Sequence, residues 1–368
     1  MVRVIHFQLD SNIGGIETFL LNVYKKIDRN KYHFDFITQS ANPAFAKEFK
    51  KLGANIYQIS SPKKLLSYIR DINQVFDNNY DVIHFHKNSA ANIIPIILAT
   101  KKNLSKIVIH SHNTAPSVLG ITSYLHKVNR HYLVNHANYR IACSDLAGKW
   151  LFGSKEKYEV IPNGIDINKF KFNNSIRNGM RRSIGIPEDA FVIGHIGRFS
   201  SQKNQDFLVK IFHKIKEIRD ISVLILIGDG ELRGEVEKEV VSLGLEDSVL
   251  FLGTRTDIPE LLSTMDVFLM PSIYEGLPIV GVEAQASGLS LYLSDTISRE
   301  LVLSDSVNWF SLDSNPSDIA KIIARDQINE TIRKQRWLQV VSSGYDIEQT
   351  VFKMSDIYDS LTLLMTKQ

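Results

Sequence analysis

Ser272-Ile-Tyr-Glu275-Gly276-Leu277-Pro278-Ile-Val-Gly-Val-Glu283-Ala-Gln-Ala-Ser-Gly288 decides how the rest of this chain is read. Glu275 and Glu283 stand eight residues apart, with Gly276 and Pro278 between them. Proline is favoured in the first turn of a helix, where its missing N–H is not needed. That puts Glu275 in the preceding loop, Glu283 inside a helix expected over 278–287, and Gly288 near its end. The first N–H groups of such a helix are free to meet an anion. Glu283 falls among Ile279, Val280, Val282, Ala284 and Ala286, where an unpartnered carboxylate is expensive. Its partner is either an Arg or Lys of the chain or a pair of ligand hydroxyls.

The pattern S-x-x-E-G-L-P-x-x-x-x-E-A-x-A-x-G resembles the signature of the retaining family-4 glycosyltransferases of the GT-B fold. The resemblance implies an α/β protein in which two Rossmann-like doubly wound parallel-sheet domains face an interdomain cleft. It implies that Glu275 meets the donor sugar's hydroxyls and Glu283 the ribose, with Gly276, Leu277 and Pro278 in the donor-binding loop.

A length of 368 residues is enough for two domains with sizeable cores, and the composition is that of an ordinary globular protein. Met1-Val-Arg runs straight into a strand pattern, and the longest apolar runs, 93–99 and 223–227, fall far short of a membrane span. A single cysteine, Cys143, excludes an internal disulfide and fits a reducing compartment. The expected location is the cytoplasm, or a peripheral place on the inner face of the plasma membrane. Charge is uneven: residues 1–165 carry +10 and the remainder −7, and nine of the eleven histidines lie in the first half. A basic half suits an anionic partner such as phospholipid head groups or a lipid pyrophosphate. Charge alone would also allow nucleic acid, but no nucleic-acid motif is present and none is expected as a partner.

Short β-rich runs alternate with helical patterns throughout, the mark of parallel sheets with crossover helices. Strands are expected at 2–8, 33–38, 55–59, 82–86, 106–110 and 139–143, then at 192–196, 222–227, 249–251, 267–270 and 289–293. The helices expected between them include 18–27, 123–136, 205–219, 231–242, 258–264 and 317–328. The expected division is 1–166 for the acceptor domain, 167–345 for the nucleotide-sugar domain, and 346–368 for a last helix. Within it the amphipathic segment 347–365 carries Val351, Met354, Ile357, Tyr358, Leu361, Leu364 and Met365. By resemblance it crosses back onto the first domain.

A sugar-nucleotide leaves as a diphosphate whose charge must be met. No two aspartates stand two apart, so an Asp-x-Asp metal holder is missing and protein cations with helix ends must serve. Gly197-Arg198-Phe-Ser-Ser-Gln-Lys203 follows directly on a strand, at the carboxyl end where α/β ligand crevices open. It is similar to the family's G-R-x(n)-K motif, which implies that Arg198 and Lys203 hold the diphosphate. Gly14-Gly15 follows the first strand and precedes a helix, offering bare N–H groups to an anion. The family's glycine pair in that place closes over the diphosphate or acceptor. Gly228-Asp-Gly230-Glu-Leu-Arg-Gly234 imitates a dinucleotide fingerprint, but its third glycine is one place late and its acids oppose a pyrophosphate. The resemblance instead puts Gly228 and Arg255 near the nucleotide base.

His110-Ser-His112 ends another strand. Two histidines at this spacing could ligate zinc, but no Cys or acid at ligand spacing completes the set, so no metal and no cofactor are expected. By resemblance His112 approaches the donor sugar, while His84 and His86 serve packing and sheet-end hydrogen bonds. The implied reaction is metal-independent transfer with retention, from a UDP-sugar to a hydroxyl of a glycan or lipid-pyrophosphate-linked acceptor in cell-surface polysaccharide synthesis. The leaving phosphate oxygen takes the acceptor's proton. The segment 123–136 carries Tyr124, Leu125, Val128 and Tyr132 along one face beside Lys127, Arg130 and His131, which suits an anionic bilayer. After Gly288 the chain departs from the family, and Asp295 to Glu300 looks more like the exopolysaccharide and capsule subgroup. A nucleotide-sugar epimerase of the same fold, or a silent nucleotide-sugar binder, are the rival readings; the first would consume donor without acceptor, the second would never turn over.

Overall fold

The computed structural model describes residues 1–11, 14–102, 106–113, 120–327 and 329–363. It divides into two compact units, Met1–Ile165 with the chain from Gly344 onward, and Asp166–Ser343. The first alternates β1 (Val2–Leu9), α1 (Gly15–Lys26), β2 (Tyr32–Thr38), α2 (Ala46–Lys51), β3 (Ile56–Gln58), α3 (Leu65–Phe76) and β4 (Val82–Lys87). It goes on through α4 (Ile94–Lys101), β5 (Ile107–Ser111), α5 (Ile121–Asn135), β6 (Tyr139–Ala142), α6 (Asp145–Leu151) and β7 (Glu159–Val160). The second runs α7 (Asn174–Ser183), β8 (Phe191–Ile196), α8 (Gln205–Ile218), β9 (Ser222–Ile227), α9 (Arg233–Ser242), β10 (Val249–Gly253) and α10 (Ile258–Thr264). It finishes with β11 (Val267–Met270), α11 (Ile279–Ala286), β12 (Ser290–Ser294), β13 (Val307–Phe310), α12 (Pro316–Ile323) and α13 (Glu330–Val341); α14 (Ile347–Leu363) then returns to the first.

Both sheets are parallel. The seven-stranded sheet is ordered β3-β2-β1-β4-β5-β6-β7 and the six-stranded one β10-β9-β8-β11-β12-β13. Strand order therefore reverses between β1 and β4 in the first and between β8 and β11 in the second, the switch points at which α/β sheets open a crevice.

Alternation along the strands builds the first unit's two layers. Ile5, Phe7, Ile83, Phe85, Ile107 and Ile109 pack on one face with Ile72, Phe76 and Ile96 of α3 and α4. Val4, Val82 and Val108 point the other way, into a cluster with Phe19, Leu20 and Val23 of α1 and Val351, Met354, Ile357, Tyr358 and Leu361 of α14. Each such buried side chain contributes about 2 kcal/mol. Leu364 and Met365 lie outside the described residues. The second unit buries Ile193, Leu224 and Leu226 against Leu208, Ile211 and Phe212 of α8.

Several elements of the second unit differ from the sequence reading. The polar stretch 168–179 holds a turn of 3-10 helix, Ile167–Phe170, and then α7. The helix over 317–328 stops at Ile323, and β13 and α13 extend the unit. Helices α7 and α13 hide from an apolar period because the side chains they bury include arginines. Arg181 donates to Thr264 O, Ala190 O and Asp266, and Arg333 to Ser263 O and Met265 O. These carbonyls satisfy the guanidinium donors that burial strips of water.

Candidate active site

At the switch point of the second sheet, two loops face each other. Loop 197–204 leaves β8 and loop 271–278 leaves β11. Ile273 N–H donates to Gln202 O (2.8 Å), Gln202 Nε2 to Tyr274 O (3.0 Å) and Asn204 Nδ2 to Pro271 O (3.1 Å). Within this lacing Lys203 Nζ meets Glu275 Oε1, both side chains mostly buried. Glu275 is held from behind, its carbonyl accepting from Ser298 N–H at 3.2 Å.

A third loop joins through glycine. Gly228, just past β9, has φ +134°, and a Cβ there would overlap Gly197 O. Its N–H donates to Gly253 O (2.9 Å), while Gly197 N–H donates to Ile227 O (2.9 Å) and Phe199 N–H to Asp229 O (3.0 Å). The ends of β8, β9 and β10 are thus in backbone contact, which brings Arg198 and Gly228 together. Arg255, two residues past β10, belongs to the same group of loops. Arg198 pairs with Glu231 (Nη2–Oε2 3.0 Å) and Arg255 with Asp257 (Nε–Oδ1 2.8 Å). Every expected diphosphate or base contact that is a cation already faces a carboxylate, although Arg198 is 68% exposed and has further N–H donors to offer.

Glu283 is the exception. Pro278 caps α11 (φ −68°, ψ 117°) one residue before the helix proper, and the helix closes on Gly288 at φ +71°. There Leu289 N–H reaches back to Ala284 O (3.2 Å) and Gly288 N–H to Gln285 O (2.8 Å). Glu283 is thereby fixed in mid-helix, and no described residue donates to its carboxylate. It keeps some exposure, yet burial pushes it up to about 8. Gly276 and Leu277 complete the turn between the two acids.

The remaining expected residues lie in the first unit. Gly14 is the N-cap of α1. Glu17 folds back over this turn, accepting from Asp10 N–H at 3.0 Å, and its carboxyl is raised by burial against the pull of backbone hydrogen bonds. The N–H groups beside Gly14-Gly15 are thus met by an acid of the chain itself. His112 follows β5, its N–H on Lys87 O (3.1 Å) and its Nε2 2.9 Å from His86 Nδ1; burial pushes it down to about 3. His84 and His86 do make the buried hydrogen bonds expected of them, but to Tyr358 (2.8 Å) and to His6 and His112.

Sequence reasoning missed Lys87. It ends β4 at the first sheet's switch point and lines a cavity of about 310 Å³ with Gln8, Asp10, Thr38, Tyr68 and Asn92. Its Nζ donates to Asn92 O (2.9 Å), no carboxylate among the described residues pairs with it, and burial lowers it to about 8. Gln8 beside it holds φ +91°, an uncommon conformation for a side chain of that size. An HxHK run ending a strand was the available signal, and only the strand order gives it meaning. No helix among the described residues is long and apolar enough to cross a membrane.

Known proteins can be set beside this geometry. Residues 13–169 match the family Glycosyltransferase Family 4, and residues 177–336 match Glycosyl transferases group 1. The chain is 34% identical to EpsF of Bacillus subtilis (strain 168), over 98% of this chain and 97% of that protein. It is 25% identical to the UDP-Gal:alpha-D-GlcNAc-diphosphoundecaprenol alpha-1,3-galactosyltransferase of Escherichia coli, over 97% and 96%. Among solved structures, Anabaena Alr3699/HepE in complex with UDP and glucose superposes with a TM-score of 0.78 at 21% identity, covering 98% of this chain and 100% of that one.

Proposed function

On the footing that the chain belongs to the family 4 and group 1 glycosyltransferases, with the GT-B fold, we propose that it moves a sugar from a UDP-sugar to a hydroxyl of a lipid-diphosphate-linked glycan. The observation that carries the reading is Glu283, a carboxyl group fixed in mid-helix on α11 that no described residue meets with a hydrogen bond or charge. Two ribose hydroxyls fit it, since each donates and none adds charge. The E. coli relative, named for a UDP-Gal donor and an alpha-D-GlcNAc-diphosphoundecaprenol acceptor, supports the substrate classes. Cell-surface polysaccharide synthesis is the corresponding role.

In this reading Arg198, Lys203 and the opening N–H groups of α11 take the diphosphate, and Lys203 exchanges Glu275 for phosphate oxygens. Glu275 is then free to accept from the donor sugar's hydroxyls. Gly228 and Arg255 border the base, and Gly276, Leu277 and Pro278 shape the turn around the donor. His112 and the Gly14-Gly15 turn serve the sugar and acceptor side. The C1–O bond to the diphosphate breaks as the acceptor oxygen bonds to C1 from the same face, and the leaving phosphate oxygen takes the acceptor's proton. Fixed cations and dipoles stabilise the developing phosphate charge, a contribution of about 3 kcal/mol per well-placed donor. Lys87, a buried ammonium with no carboxylate partner among the described residues, is assigned to a phosphate of the acceptor.

Membrane-bound acceptor requires a way to the bilayer. Along α5, Ile121, Tyr124 and Val128 are 77%, 66% and 55% exposed, on the turns that also carry Lys127, Arg130 and His131. We assign this strip to an anionic bilayer surface.

The test is to incubate the protein with UDP-glucose or UDP-galactose and a synthetic lipid-diphosphate sugar, following UDP release and the product's anomeric configuration by NMR. Acceptor-dependent release with an α-linked product is expected. Release independent of acceptor, or a β-linked product, would overturn the reading.

A further inference from the structure

Five imidazoles line one face of the first sheet. His6 lies on β1, His84 and His86 on β4, His110 on β5 and His112 just beyond it. Register sets His6 beside His84 and His86 beside His110, and two-residue spacing keeps all five on the α1/α14 side. His6 Nδ1 lies 3.0 Å from His86 Nε2, and His86 Nδ1 lies 2.9 Å from His112 Nε2. His6 Nε2, His84 Nε2, both nitrogens of His110 and His112 Nδ1 are buried with no hydrogen-bond partner among the described residues. Buried polar atoms left unmet each cost about 1–3 kcal/mol, and His110, with both nitrogens unmet, is where a ligand gains most.

We propose that His86, His110 and His112 form a binding site for a divalent ion of the zinc class. One ring nitrogen from each lies within 4.8 Å of the others. His86 offers Nδ1, because its Nε2 is engaged by His6, and His112 offers Nε2, which already faces it. Their 2.9 Å separation has to open only to about 3.3 Å, the span of two nitrogens about 2.05 Å from a tetrahedral ion. His110, with both nitrogens unmet, supplies the third ligand. The contact from His6 fixes the tautomer and ring plane of His86, as outer hydrogen bonds do for metal-bound imidazoles. An all-imidazole set with no carboxylate selects zinc, cobalt, nickel or copper over magnesium or calcium.

His6, His84 and His86 offer a second trio at similar spacing. The His112 trio is favoured because its last ring alone retains surface exposure, which gives the ion a way in and leaves a fourth position open. The sequence pointed away from a metal since neither Cys nor acid stood near His110 and His112. The third ligand comes instead from the neighbouring strand, through sheet register. An ion held there would fix the ring plane of His112.

The site does not depend on the transferase reading, and its test uses no turnover. Untagged full-length protein is stripped with chelator and titrated with Co2+, then Zn2+. One equivalent of Co2+ with the intense visible bands of a tetrahedral ion is expected, displaced by Zn2+. His110→Leu should weaken binding by about 100-fold or more and His6→Asn by about tenfold, while His213→Ala, on α8, leaves it unchanged. X-ray absorption on the wild-type protein, which needs no variant to fold, should count three imidazole ligands. Stoichiometry below about 0.1 equivalent at micromolar protein, an octahedral spectrum, or unchanged affinity in folded His110→Leu would overturn the site.

Discussion

The two units place polar groups at the same point of the same topology and neutralise them in opposite ways. At the first sheet's centre the groups are stacked imidazoles held uncharged by burial, His86 bonded to His6 and His112, with Lys87 as the cation that no acid among the described residues meets. At the second they are charges, matched in pairs: Lys203 with Glu275, Arg198 with Glu231, Arg255 with Asp257. Glu283 is left over. Burial tolerates a neutral ring more readily than a charge, and a charge only beside its opposite. In the proposed reading the leftover group in each unit, Lys87 in one and Glu283 in the other, is met by a ligand's complementary atoms.

Breaking a pair should do more than removing a leftover. Glu275→Gln is expected to lower kcat by about 10²–10³-fold with the fold intact by circular dichroism, because it takes away the sugar contact and unpairs Lys203. Near-normal turnover would end the assignment. Lys87→Met should raise the KM for a lipid-diphosphate acceptor by about tenfold without altering UDP affinity measured by calorimetry. If KM stays put, the leftover cation has another purpose.

Backbone geometry bears on the same comparison, since it fixes the helix that carries Glu283. Gly288→Ala forces a Cβ at φ +71° against the backbone of Arg333 and should cost about 1–3 kcal/mol in chemical denaturation. The smallest effect is expected on α5, where a Tyr124→Ser/Val128→Ser double variant should float less readily with anionic liposomes while keeping its thermal midpoint. Flotation indifferent to these residues or to lipid charge would remove the bilayer from the account.

Much of this was legible in the sequence, for reasons that can be named. Val4, Ile5 and Phe7 alternate with His6 in β1 and reveal a strand buried on both faces, and Gly288 and Pro278 bracket α11 through backbone preferences that act locally. Glu275, Lys203, Arg198 and Gly228 could be singled out by their setting, and Lys203 and Glu275 do meet. What stayed hidden depends on distant contacts. Helices α7 and α13 bury Arg181 and Arg333, whose partners include Asp266 and Ser263, 85 and 70 positions away in sequence. The histidine row needs the register of β1, β4 and β5, and the isolation of Lys87 depends on the order of strands. Glu283 had two candidate partners in sequence, and no cation among the described residues takes the place.

That last point can be measured through protons. Raised to about 8 from a usual 4.5, Glu283 favours the protonated folded state. Its contribution to stability is full below about 4.5 and falls away as pH rises through about 8. Ribose hydroxyls donating to the carboxylate favour its ionised form, so binding a nucleotide lowers its pKa and releases a proton at neutral pH. Calorimetry of UDP binding at pH 7 in two buffers of different ionisation enthalpy reads that proton. Release of a substantial fraction of one proton, abolished in Glu283→Gln, is the predicted result; binding with no buffer dependence, or the same release in the variant, would contradict it.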